Sequence, residues 1–88
     1  MNIKILGTGC ARCGQLEKTT REVVKELGID AKVEEVNDMR QIMTYNILTT
    51  PGLVINEQVV SSGKVPSKAE VTQLIVNSLA KEERTKAI

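Results

Sequence analysis

Cys10 and Cys13 are the only cysteines of the chain, and Cys10-Ala11-Arg12-Cys13 sits where a glycine-rich turn meets an expected helix start. Two thiols at that spacing can close a disulfide, hold a soft metal ion, or do nothing. Residues three apart in the first turn of a helix lie roughly 5 to 6 Å apart, inside the Cα separation that a disulfide accepts, so the pair can open and close with little backbone movement. As a structural staple the bridge would close so short a loop that it would restrain little of the unfolded chain. The unpaired N–H groups at a helix start favour negative charge and hence a thiolate on Cys10, with Arg12 as a further source of positive potential. Cys13, one turn in, is expected to be the better shielded sulfur. These readings make Cys10 the attacking nucleophile and Cys13 the resolving thiol of a dithiol/disulfide couple, which needs no bound cofactor.

Metal binding is the main competing chemistry. The chain has no histidine, so one cysteine pair does not make the usual four-ligand zinc site. Two thiolates could still hold a soft ion such as Cu(I), or a dimer could assemble four of them, and a metal or metalloid module would then use the same Cys10 and Cys13. Gly7-Thr8-Gly9 also opens like a dinucleotide-binding GxGxxG, but Arg12 stands at the third glycine. The glycines are expected instead to permit the tight turn that aims Cys10.

The elements that must position this pair follow from periodicity. Asn2 to Leu6 reads as a buried strand ended by Gly7. A helix from about Cys10 places Leu16, Thr20, Val23, Val24 and Leu27 inward, pairs Glu17 with Arg21 and Lys18 with Glu22 outward, and stops at Gly28. Residues 31–36 form a strand diluted by Lys32, Glu34 and Glu35, as suits a sheet edge. Asp38 and Gln41 suggest a capping box for a short helix with Met39, Ile42 and Met43 on one face, ending near Tyr45, whose expected role is packing. After Pro51, two apolar runs flank Asn56-Glu57 as a hairpin, although Glu57 falls where a type I′ turn prefers glycine. Ser67 and Glu70 cap a last helix with Val71, Leu74, Ile75, Ser78 and Leu79 inward. The order is β-α-β-α-β-β-α in an α/β fold, with a parallel first pair, an antiparallel hairpin and helices flanking a mixed four-stranded sheet. One domain over residues 1–88 is expected, with its core in about 2–79 and a polar tail from residue 80 that extends the helix or frays.

Composition narrows the partners. Twelve basic against eleven acidic residues give a net charge of +1, and Tyr45 is the sole aromatic, so neither an electrostatic nor a base-stacking nucleic-acid platform is expected. With 41% hydrophobic residues but no Phe or Trp, the core must be aliphatic. MNIKIL reaches Gly7 with no apolar run long enough for a signal peptide or membrane span, so a cytoplasmic, membrane-free monomer is the expectation. In a reducing compartment a disulfide that does form tends to be catalytic or redox-sensing.

With CxxC at a helix start and Thr50-Pro51 before the hairpin, the chain resembles the thioredoxin/glutaredoxin-like superfamily. It is more similar still to the short archaeal and bacterial branch of small redox-active disulfide proteins. ILGTGCARC at the start, TP before the third strand and VVSSGKVPS before the last helix carry the likeness, which runs from about Asn2 to Leu79. The resemblance implies a thioredoxin-like fold and a thiol–disulfide oxidoreductase exchanging electrons with protein disulfide clients and an upstream dithiol reductase. It implies also that Pro51 is a cis-proline beside the CxxC, and that the Thr50 backbone pairs with an extended substrate segment. Heavy-metal-associated domains share an early CxxC, but their β-α-β-β-α-β order has no TP before a terminal hairpin and helix. The chain departs from the superfamily in having no Trp before Cys10 and Ala11-Arg12 within the CxxC. Gly52 stands where the branch more usually has Ala, and no acidic residue follows Ser61-Ser62-Gly63 to suggest a glutathione site.

Overall fold

The computed structural model describes residues 1–7, 11–47 and 49–86, with side chains as far as residue 81. The elements run β1 (Asn2–Leu6), α1 (Ala11–Leu27), β2 (Lys32–Val36), α2 (Met39–Met43), β3 (Gly52–Ile55), β4 (Gln58–Ser62) and α3 (Lys68–Lys86). The strands form one sheet in the order β2-β1-β3-β4. β1 runs parallel to β2 and antiparallel to β3, which pairs antiparallel with β4 through an irregularity between Leu53 and Val54. The expected mixed sheet is therefore present. The acid-rich β2 lies at one edge, where its charges discourage further pairing.

Strand alternation splits the core into two layers. Ile3 and Ile5 of β1 with Leu53 and Ile55 of β3 pack against Leu16 and Val23 of α1 and Val71 and Ile75 of α3. Leu6 and Val54 point to the other face and pack with Val36 and with Ile42 of α2. Thr20, buried in α1, donates its hydroxyl to the Leu16 carbonyl at 2.8 Å and so leaves no bare polar group in an aliphatic layer.

The helix ends follow local chemistry. Gly28, at φ +63°, closes α1 with its N–H on the Lys25 carbonyl at 3.2 Å and the Ile29 N–H on Val24 at 3.4 Å, a Schellman pairing. Ser67 accepts the Glu70 N–H at 3.2 Å, capping α3, which continues to Lys86. Asp38 caps α2, but its carboxylate accepts from the Arg40 N–H at 2.9 Å, one residue before the Gln41 that a capping box requires.

Two expected inner faces are corrected. Met39 and Met43 are 54% and 67% exposed, and of the three α2 candidates Ile42 alone is buried. A five-residue helix crosses the sheet too briefly to seat three side chains, and Tyr45 and Ile47, just beyond it, pack against that layer instead. Leu27 is also exposed, because it sits at the end of α1 where the chain turns away through Gly28.

The hairpin adopts a turn with both central residues at positive φ, Asn56 at 51° and Glu57 at 67°, despite the side chain on Glu57. Side-chain bonds hold it. Lys4 donates to Glu57 Oε1 at 2.8 Å and to the Tyr45 hydroxyl at 3.0 Å, and Tyr45 donates to Glu57 Oε2 at 2.9 Å. Lys4 and then Tyr45 hold the Glu57 carboxyl below the usual carboxylate range, while Glu57 and then Tyr45 raise Lys4. A depressed carboxyl stabilises the fold above its unfolded pKa, about 4.3, and that stabilisation is lost as pH falls through the lower folded value. Denaturant midpoints should therefore drop below about pH 4.3, and Glu57→Gln should show a shallower drop. Equal slopes for the two proteins would contradict this role for the triad.

Candidate active site

β1 delivers the chain to the site. Beyond Leu6 the β1–β2 ladder continues, with the Gly7 N–H on the Val36 carbonyl at 2.9 Å. Thr8, Gly9 and the nucleophile candidate Cys10 lie outside the described residues. α1 begins at Ala11, and Ala11 and Arg12 are exposed whereas Cys13 is 1% exposed. The first turn of α1 holds no acidic residue, so its unpaired N–H groups and Arg12 act on negative charge there without local opposition.

Cys13 faces the end of β1. A side chain on Gly7 would overlap the Cys13 sulfur and lie 2.9 Å from its Cβ, and the Gly7 backbone is outside the left-handed region. Gly7 thus serves close approach rather than the free φ that a tight turn suggested. This contact was not legible from spacing, because it joins a strand end to a helix six residues later.

Pro51 reaches the same place through strand register. Leu6 pairs with Gly52 in the antiparallel β1–β3 ladder, which sets Gly7 across from Pro51 at the next step. The Thr50–Pro51 peptide is cis, Pro51 is buried and Thr50 is half-buried. The Pro51 carbonyl accepts the Gly63 N–H at 2.9 Å, and Gly63, at φ +77°, has no room for a side chain beside Thr49 Oγ1. Gly52 leaves room for Ile47, whose Cδ1 would lie 2.9 Å from an added Cβ. Thr49, Ile47 and Gly63 were not singled out from the sequence as shaping this segment.

One turn beyond Cys13, Glu17 accepts from Arg21 at 3.1 and 3.0 Å, and Arg21 also donates to the Val33 carbonyl of β2 at 3.2 Å. The expected outward ion pair is thus a tie between α1 and the sheet edge. Arg21, followed by Glu35, lowers the Glu17 carboxyl, and Glu17 in turn raises that of Glu35. Among the described residues no cluster of three or more His, Cys, Asp or Glu is placed to hold a metal, and no helix is long and apolar enough to cross a membrane.

Comparison with known proteins agrees with this arrangement. A family model described as Thioredoxin domain matches residues 1–76. The chain belongs to that family. It is 45% identical over 75 residues to a thioredoxin of Methanothermobacter thermautotrophicus, covering 85% of this chain and 97% of the relative. To a thioredoxin of Methanocaldococcus jannaschii it is 38% identical over 71 residues, 81% of each chain. In fold it is similar to thioredoxin 1 from Thermosipho africanus, with a TM-score of 0.64 at 20% identity over 94% of this chain and 99% of the other. This thioredoxin-family chain is a thiol–disulfide oxidoreductase.

Proposed function

We propose that Cys10 and Cys13 are the reacting pair, with unequal roles, in the reduction of protein disulfides. What supports the division is burial: Cys13 is 1% exposed while the Ala11 and Arg12 between the two cysteines face solvent. The Cys10 thiolate attacks one sulfur of a client disulfide, forming a mixed disulfide and releasing the first client thiolate, which takes a proton. Cys13 then gives up its proton and attacks the Cys10 sulfur. The Cys10–Cys13 bond forms, the Cys10–client bond breaks, and the second client thiolate leaves and is protonated. Two electrons pass to the client, and an upstream dithiol reductase resets the pair. Arg12 favours the thiolate electrostatically, and Pro51 with the Thr50 backbone borders the site and receives the client segment. The chain works as one domain and as a monomer in the cytoplasm.

A redox titration in defined dithiol buffers, with thiols trapped by a mass-adding reagent because there is no Trp to report the change, tests this reading. One reversible two-electron transition linking Cys10 to Cys13 is expected, within the span from about −270 to about −120 mV occupied by known CxxC proteins. Thiols that stay unlinked across the accessible range, or a disulfide that never reduces, would overturn it.

A further inference from the structure

We infer that Gly7 is a positioning residue for the redox pair: its missing side chain is the space in which the Cys13 sulfur sits, and volume added there displaces that sulfur from the geometry that closes the disulfide. The inference rests on Cys10 and Cys13 being the reacting pair.

Gly7 is buried and extends the ladder from β1 to β2, bonded to Val36 at 2.9 Å. The described glycines at positive φ are Gly28 and Gly63, so the backbone at Gly7 does not itself require glycine. Space does. An added Cβ would coincide with the Cys13 sulfur and approach its Cβ to 2.9 Å, whereas one on the neighbouring exposed Gly14 would meet nothing.

Neither side can easily give way. The strand end is fixed by its bond to Val36 and by the pairing of Leu6 with Gly52. The helix is anchored one turn later by Leu16, fully buried, and then by Val23. A helical side chain has essentially two χ1 wells, so relieving the overlap sends the sulfur to the other well or lifts the first turn of α1. In both cases the Cys13 sulfur leaves the space beside Gly7 from which, in the proposed reaction, it closes on Cys10. That step is an in-line displacement at the Cys10 sulfur, and misplacing a reacting atom by about 1 Å can cost on the order of 100-fold.

The test uses reduced protein and an aromatic disulfide reagent that releases one coloured thiolate when Cys10 attacks and a second when Cys13 closes on the mixed disulfide. In wild type both are released. Gly7→Ala should leave the first release unchanged and slow the second by roughly tenfold to 100-fold, with Gly7→Val slower again. A role confined to stability would lower the denaturation midpoint and leave the ratio of the two rates intact. That unchanged ratio in folded Gly7→Ala overturns the inference. If Gly7→Ala unfolds, the same substitution is made in Cys13→Ala: recovery of the fold supports an overlap with the sulfur, and failure to recover overturns it. Release of a single equivalent by wild type would instead overturn the pair reading itself, and this inference with it.

Discussion

Leu16→Ala should lower the free energy of unfolding by about 2 to 5 kcal/mol, the usual range for emptying a buried leucine site. Leu16 is fully buried and belongs to the larger core layer, which Ile3, Ile5, Leu53 and Ile75 share. The neighbours cannot collapse far, since each belongs to a strand or helix fixed by its own pairing. A chain of this length has about 4 to 13 kcal/mol in all, and its aliphatic core holds no Phe or Trp to compensate. The loss should therefore remove a large part of the folded population's margin. Guanidinium unfolding followed by circular dichroism measures it. Leu16 also holds α1 against the sheet one turn after Cys13, so the same variant should alkylate faster at Cys13 even where it remains folded. A loss under about 1 kcal/mol, the level of an ordinary surface change, would mean that α1 is not anchored as described.

The parts of the fold that were legible in the sequence are those whose causes are local. Gly28 stops α1 and Ser67 caps α3 because each needs only residues within one turn of itself. The short apolar run of β1 and the acidic dilution of β2 likewise located a buried strand and an edge strand. Amphipathic spacing failed where an element was too short or too near its end. Met39, Met43 and Leu27 carry the spacing of an inner face and are exposed, because spacing says which residues share a side of a helix but not how far that helix lies over the sheet. The hairpin misfit at Glu57 had the same origin. Its carboxylate is held by Lys4 from β1 and by Tyr45 from the turn after α2, partners that no local reading supplies.

At the candidate site the sequence named the candidate residues more readily than their surroundings. Cys13 and Pro51 have chemical signatures, a thiol at fixed spacing and a proline before a strand, and the structure places them around the end of β1. Gly7 has no signature of its own. Its demand for space appears only when the strand end and the first turn of α1 are seen in contact. The approach of Gly63 to Thr49, which fastens the Pro51 segment to the turn before α3, is equally non-local.

If the two cysteines act in sequence, one attacking and one releasing, covalent trapping should tell them apart. Cys13→Ser keeps the nucleophile but removes the thiol that resolves the mixed disulfide. Release then depends on free thiol from solution, which competes poorly with an oriented internal group whose effective concentration is higher by at least roughly 10³-fold. Cys13→Ser should accordingly accumulate client covalently bound through Cys10, visible as mass added to the intact protein and removed by reductant. Cys10→Ser should accumulate little, because its remaining thiol is buried on the inner side of α1. Both single variants should lose turnover of a protein disulfide by about 10³-fold or more. Equal trapping by the two variants would contradict the division of roles, and trapping by Cys10→Ser alone would reverse it.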